Sequence, residues 1–133
     1  NMGNTCFMNS TLQSLIHCGK LREFFLNNDK NQWYRKQLNS DNPIGYGGKI
    51  AKCFAKLMYE CCNVASSSYA SSYCYSSAIR PSMVHYNLSG VLRQFSDYRQ
   101  HDAQEFLTNF LDALHEDLNR IKKKRYIEIP DFD

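Results

Sequence analysis

The chain has 133 residues, 43% hydrophobic and 22% charged, with a formal net charge of +3. That suits one domain with a buried core, and it is too apolar and too weakly charged for a disordered chain. No apolar run approaches the roughly 18–20 residues that span a bilayer, and the mildly basic balance does not by itself argue for nucleic acid, so neither partner is expected.

The opening residues do not read as a charged-then-apolar leader. The sequence starts at Asn1 directly in a motif and stops at Asp133 just after an extended-looking stretch, so a piece of a larger domain is expected. Helical spacing of Met8, Leu12, Leu15 and Ile16 predicts a first helix over about 6–17, with Asn4 or Thr5 as N-cap and Gly19 as C-terminal stop. A short helix over 20–26 follows, with Leu21, Phe24 and Phe25 apolar. Residues 27–48 are rich in Asn, Asp, Gly and Pro and read mostly as loop, with one helical turn near 33–38.

The next helix, 48–62, carries a stripe of Ile50, Phe54, Leu57, Met58 and Cys61, and Ala51 and Ala55 add propensity. Residues 65–78 are Ser- and Tyr-rich without a period and predict a flexible surface loop. Pro81 suits the first position of a helix bearing Val84, Leu88, Val91, Leu92 and Phe95, and Ser89-Gly90 is a point where it can break in two. The strongest helix, 102–122, is predicted to bury Leu107, Phe110, Leu111, Leu114, Leu118 and Ile121. Asp102 and Glu105 have capping-box spacing, and the basic run 122–125 closes the helix favourably against its dipole. That run reads as a solvated helix end. Tyr126, Ile127 and Ile129 predict a short extended exit. The fold class expected is mainly α.

Six cysteines stand at Cys6, Cys18, Cys53, Cys61, Cys62 and Cys74. An even count permits a disulfide framework, but several fall within helical patterns, in a chain long enough to fold on an apolar core. Free thiols in a reducing compartment, cytoplasmic or nuclear, are therefore expected. No Cys-x-x-Cys pair occurs, so no zinc site is expected within these residues.

Cys6 lies at a predicted helix start behind Gly3-Asn4-Thr5. Helix N-termini carry partial positive charge and free N–H groups, which favour a thiolate. If Gly3 turns the backbone, the Asn1 amide can donate toward an oxyanion formed at the same centre. A thiol and an amide donor make half of a cysteine hydrolase site, and the other half is a general-base histidine. A core-facing, inert Cys6 fits the spacing equally well.

The stretch Asn1-Met2-Gly3-Asn4-Thr5-Cys6-Phe7-Met8-Asn9-Ser10-Thr11-Leu12-Gln13-Ser14-Leu15 resembles the Cys box of the ubiquitin-specific proteases. Tyr98-Arg99-Gln100-His101-Asp102-Ala103-Gln104-Glu105-Phe106-Leu107 resembles that family's Gln-Gln-Asp box. The run from Leu111 to Arg120, and Asn42-Pro43-Ile44-Gly45 before the 50–59 helix, resemble the subgroup with an added ubiquitin-like domain. The resemblance implies residues 1–133 as the helical thumb lobe of a papain-like α+β cysteine peptidase, with fingers and palm absent. It implies cleavage after the C-terminal Gly of ubiquitin without a cofactor. Cys6 matches the nucleophile and Asn1 the oxyanion-hole residue. Asp102 lies where the family contacts the ubiquitin tail, and Gln100 and Glu105 are weaker candidates for the same groove. An acidic residue suits that basic tail. For Asp102 and Glu105 the plainer reading is helix capping.

Two departures matter. His101 stands where the family usually has Gln. The family's catalytic His, in a downstream Gly-His-Tyr-type segment, has no counterpart among His17, His85, His101 and His115. The chain alone is therefore expected to be inactive, with ubiquitin, ubiquitinated proteins and the missing palm and fingers as partners. The alternative is a non-catalytic ubiquitin-binding or interaction module. A lobe without its partner is also expected to leave apolar surface exposed and to self-associate.

Overall fold

Apolar residues at three- and four-residue intervals bury one stripe per helix, and that pattern accounts for most of the architecture. The computed structural model describes residues 3–26, 33–66, 82–97 and 99–121. These form α1 (Cys6–Ile16), α2 (Gly19–Leu26), α3 (Trp33–Lys36), α4 (Lys49–Ser66), α5 (Ser82–Val91), a 3-10 turn (Arg93–Phe95) and α6 (Ala103–Asp117). No strand occurs among the described residues. The expected mainly α class is what the chain adopts. The predicted exit over Tyr126–Ile129 and most of the Ser/Tyr stretch lie outside the described residues. α4 continues through Ser66, past the predicted start of that stretch at residue 65.

α1 buries Phe7, Met8, Leu12 and Ile16 as its spacing requires. Its start differs from expectation. Thr5 is the N-cap residue but makes no capping bond with its side chain, which is buried and accepts from Asn9 Nδ2 at 3.5 Å instead. The turn is made by backbone: Gly3 takes φ 90°, and the Thr5 N–H donates to the Gly3 carbonyl at 2.8 Å. Gly19 is not a left-handed stop. α1 ends at Ile16, the Cys18 N–H bonds back to Leu15, and Gly19 opens α2 directly.

α5 runs through Ser89-Gly90 without breaking. The Ser89 hydroxyl donates to the His85 carbonyl at 2.7 Å, satisfied inside the helix. The interruption comes at Leu92, whose φ −101° and ψ 74° leave the helical region ahead of the 3-10 turn.

α6 is rotated from the predicted face. Phe106, Phe110, Ala113, Leu114 and Asp117 are buried, whereas Leu111 is 39% exposed and Ile121 60%. The reason is an aromatic file through the core. Phe7 meets Phe106 (5.4 Å between centroids), Phe106 stacks on Phe110 (5.8 Å), Phe110 meets Phe54 (5.4 Å), Phe54 meets Phe25 (5.4 Å), and Phe25 meets Tyr34 (5.4 Å). Ring pairs at these distances add to the gain from burial. The file joins α1, α6, α4, α2 and α3, and it leaves Leu107 and Leu111 to one side.

α6 also stops five residues short of Lys122. Buried Asn39 donates its backbone N–H to the Asp117 carbonyl at 2.9 Å, and its side-chain Nδ2 to the carbonyls of Asn119 (2.9 Å) and Ile121 (3.4 Å). These bonds draw the chain out of the helix. Asp117 itself is 0% exposed. Its Oδ1 accepts from the N–H groups of Tyr46 (2.9 Å) and Gly48 (3.1 Å), and its Oδ2 from those of Ile50 (2.9 Å) and Ala51 (3.2 Å). One carboxylate on α6 thus satisfies the open N-terminus of α4. The approach needs left-handed backbone at Gly47 (φ 66°) and Gly48 (φ 77°).

Candidate active site

Cys6 is the first residue of α1 and its thiol is exposed. Its neighbours hold it there. Thr5, Phe7 and Met8 are all buried, so the turn is anchored from inside while Cys6 faces out. Cys6 therefore does not face the core. Among the described residues the Cys6 thiol makes no hydrogen bond. Asn1 lies outside the described residues.

The two motifs, about a hundred positions apart in sequence, meet in space. The Thr11 hydroxyl donates to the Phe7 carbonyl (2.9 Å) and reaches the Ala103 carbonyl (3.4 Å), tying α1 to the start of α6. The Phe7 ring lies 5.2 Å from that of His101. Asp102 is the N-cap of α6, with φ −71° and ψ 130°. Its Oδ1 accepts from both Gln104 N (2.7 Å) and Glu105 N (2.9 Å). Oδ2 takes no part in the cap. Capping and ligand binding are thus compatible in the same carboxylate. Glu105 makes no reciprocal bond with its side chain, so the capping box is only half formed. Gln100, Asp102 and Glu105 are all exposed at this end of α6.

Among the described residues no histidine hydrogen-bonds the Cys6 thiol. His17 sits at the far end of α1, about 16 Å along the helix, with Nδ1 2.8 Å from the Gln13 carbonyl. His115 is exposed near the end of α6, not set among the leucines beside it. His85 lies on α5. His101 is the one histidine at the junction, and its Nε2 is 2.5 Å from Asp97 Oδ1. Among the described residues no group of His, Cys, Asp and Glu is arranged to hold a metal. No helix among them is long and apolar enough to cross a membrane.

A sequence profile described as "Ubiquitin carboxyl-terminal hydrolase" matches residues 1–131. The chain belongs to the ubiquitin carboxyl-terminal hydrolase family. It is 44% identical over 133 residues to "Ubiquitin carboxyl-terminal hydrolase 15" of Xenopus tropicalis, covering 100% of this chain and 12% of that protein. It is equally similar (44% over 133 residues) to "Ubiquitin carboxyl-terminal hydrolase 8" of Arabidopsis thaliana, covering 100% of this chain and 14% of that protein. "Ubiquitin carboxyl-terminal hydrolase 12" of Saccharomyces cerevisiae is 42% identical over 130 residues, which are 98% of this chain and 10% of that protein. The chain therefore spans only a small part of the relatives it matches.

Within this family member, two features of the site region escaped the sequence. The first is the Asp97–His101 pair. Its four-residue spacing falls in a segment without helical period, so nothing local marks it. The His101 hydrogen bond, helped by the Arg99 backbone N–H and by nearby positive charge, holds the Asp97 carboxyl below the usual aspartate range. A depressed folded-state pKa contributes stability that is present above the ordinary value near about 4 and lost as pH falls through the folded value. A carboxyl-carbon NMR titration is expected to place the Asp97 midpoint below that ordinary range, and His101→Ala to return it upward. An ordinary midpoint in both proteins would refute the pairing. The second feature is the contrast among thiols. Burial pushes the Cys53 and Cys61 thiols up. Cys53 lines a cavity of about 150 Å³ on the α4–α5 seam with Leu57, Met83 and Val84. Cys6, by contrast, is exposed.

Proposed function

We propose that residues 1–133 form the thumb lobe of a thiol-dependent deubiquitinase that hydrolyses the bond after the C-terminal Gly of ubiquitin. One observation carries this reading: an exposed thiol at the first position of α1, with the start of α6 packed against that helix and its cap, Asp102, exposed and capping through Oδ1 alone. The basic ubiquitin tail lies against Asp102, with Gln100 and Glu105 flanking it, and carries its terminal Gly carbonyl to Cys6.

The Cys6 thiolate attacks that carbonyl carbon. The Asn1 amide and backbone N–H groups hold the oxyanion. A histidine from outside residues 1–133 takes the thiol proton and returns it to the leaving amine as the C–N bond breaks. Water then cleaves the thioester and frees the ubiquitin carboxylate. No cofactor enters. The partners are ubiquitin, ubiquitinated proteins and the rest of the catalytic domain. The free thiols of Cys6, Cys18, Cys53 and Cys61 support a reducing location, cytoplasmic or nuclear.

The test uses the full-length protein and a ubiquitin C-terminal amide. Amine release that iodoacetamide blocks is the expected result, with none from residues 1–133 alone, which lack a Gly-His-Tyr-type segment. A full-length protein that binds ubiquitin and releases no amine is a binding module.

A further inference from the structure

His101 is the one histidine built into the junction of the two motifs. Its side chain is 18% exposed. The Phe7 ring of α1 meets it edge-on at 5.2 Å and the Phe95 ring of the 3-10 turn at 5.1 Å. Phe7 and Phe95 meet each other at 5.9 Å, and both meet Phe106 of α6, at 5.4 and 5.3 Å. The imidazole is thus the polar rim of a ring cluster. It links the residue after Cys6 to the residue before Asp102.

Ring edges confine the imidazole plane but give it no polar anchor. Asp97 supplies one, through the 2.5 Å contact between Nε2 and Oδ1. Asp97 is held in turn by Arg99, whose Nε lies 3.6 Å from Oδ2. Both the Nε2–H tautomer and the imidazolium donate to a carboxylate, so the clamp operates in either protonation state.

We infer that His101, clamped by Asp97, is a positioning residue that sets the Asp102 carboxylate relative to the Cys6 end of α1. This rests on the proposed role of Asp102 toward the ubiquitin tail. A peptide that must reach Asp102 and Cys6 at once is sensitive to their separation, and misplacement of about 1 Å is costly in such sites. The clamp acts on productive binding, not on the bond-breaking step.

Asp97 is 45% exposed and outside the core, so its replacement leaves the fold intact. In the full-length enzyme, Asp97→Ala is expected to raise KM for a ubiquitin C-terminal amide about fivefold or more, with kcat within about twofold. Asp97→Asn, which keeps an acceptor oxygen, is expected to restore most of the loss. In the same proteins, the His101 ring N–H resonance should be slow to exchange in the wild type and lost in Asp97→Ala. An unchanged KM in Asp97→Ala, or a fall in kcat alone, would overturn the inference while wild-type turnover leaves the proposed function standing. A wild-type protein without turnover refutes the proposed function and the inference together.

Discussion

Cys6→Ala in the full-length protein is expected to abolish amine release from ubiquitin C-terminal amides while leaving the fold and ubiquitin binding in place. The chemistry is lost because no other group at the start of α1 can form the thioester. The fold is kept because Cys6 contributes nothing to the core. Burial in this helix is carried by Phe7, Met8, Leu12 and Ile16. Alanine is also an excellent helix former, so stability should change by no more than about 0.5 kcal/mol. Turnover, ubiquitin affinity and melting temperature measured on one preparation separate these effects. Cys18→Ala is the control. It too is exposed, but it stands beyond the far end of α1 and should leave turnover unchanged. Iodoacetamide should reach Cys6 and Cys18 before Cys53 and Cys61, whose burial disfavours the thiolate. Residual turnover in Cys6→Ala would remove the residue from the nucleophile role.

Asp117→Ala is expected to be the most destabilising single change, by about 3–5 kcal/mol. Four backbone N–H groups end on this one carboxylate, and Asp117, Gly48, Ile50 and Ala51 are all buried. Removing it strands donors that water cannot reach and leaves the N-terminus of α4 without its counter-charge. Asp117→Asn keeps the shape but turns an NH2 group toward two of the donors, so it should recover only part of the loss. Denaturant midpoints give the size of the effect. Amide exchange at Ile50 and Ala51 should accelerate selectively, since these are the bonds deleted. A loss under about 1 kcal/mol would show that the clasp is replaceable by solvent. Asp117 and Asp102 stand at opposite ends of α6, about 22 Å apart along the helix. Turnover per folded molecule should therefore survive.

Where burial follows a single local stripe, the sequence predicted the helices well. α1 and α4 are cases in point: Met8, Leu12 and Ile16, or Ile50, Phe54 and Met58, leave only one face to bury. α6 was harder. Its Leu107–Leu111 row and its Phe106–Phe110 row are both helical stripes a fraction of a turn apart. Partners on other helices, Phe7 and Phe54, select the phenylalanines. Ser89-Gly90 misled for a related reason. It has the composition of a boundary, but the Ser89 hydroxyl bonds back to the His85 carbonyl and the helix runs through.

The candidate site divides the same way. Residue identity placed Cys6 and Asp102 in recognisable motifs, and helix-start chemistry explained why a thiol and a cap belong there. Those are local properties, set by a few adjacent residues and by the dipole of the helix they begin. That Cys6 faces solvent, that the two helix starts lie side by side, and that Asp102 caps with one oxygen only are products of packing. So are the Asp97 clamp on His101 and the burial of Asp117, an acid that composition alone assigns to the surface. Each depends on partners tens of residues away or on a turn with no period, and a one-dimensional pattern carries no record of which surfaces will meet. The sequence alone thus established a mainly helical piece of a ubiquitin carboxyl-terminal hydrolase family member, and tertiary packing decided which of its polar groups are held together.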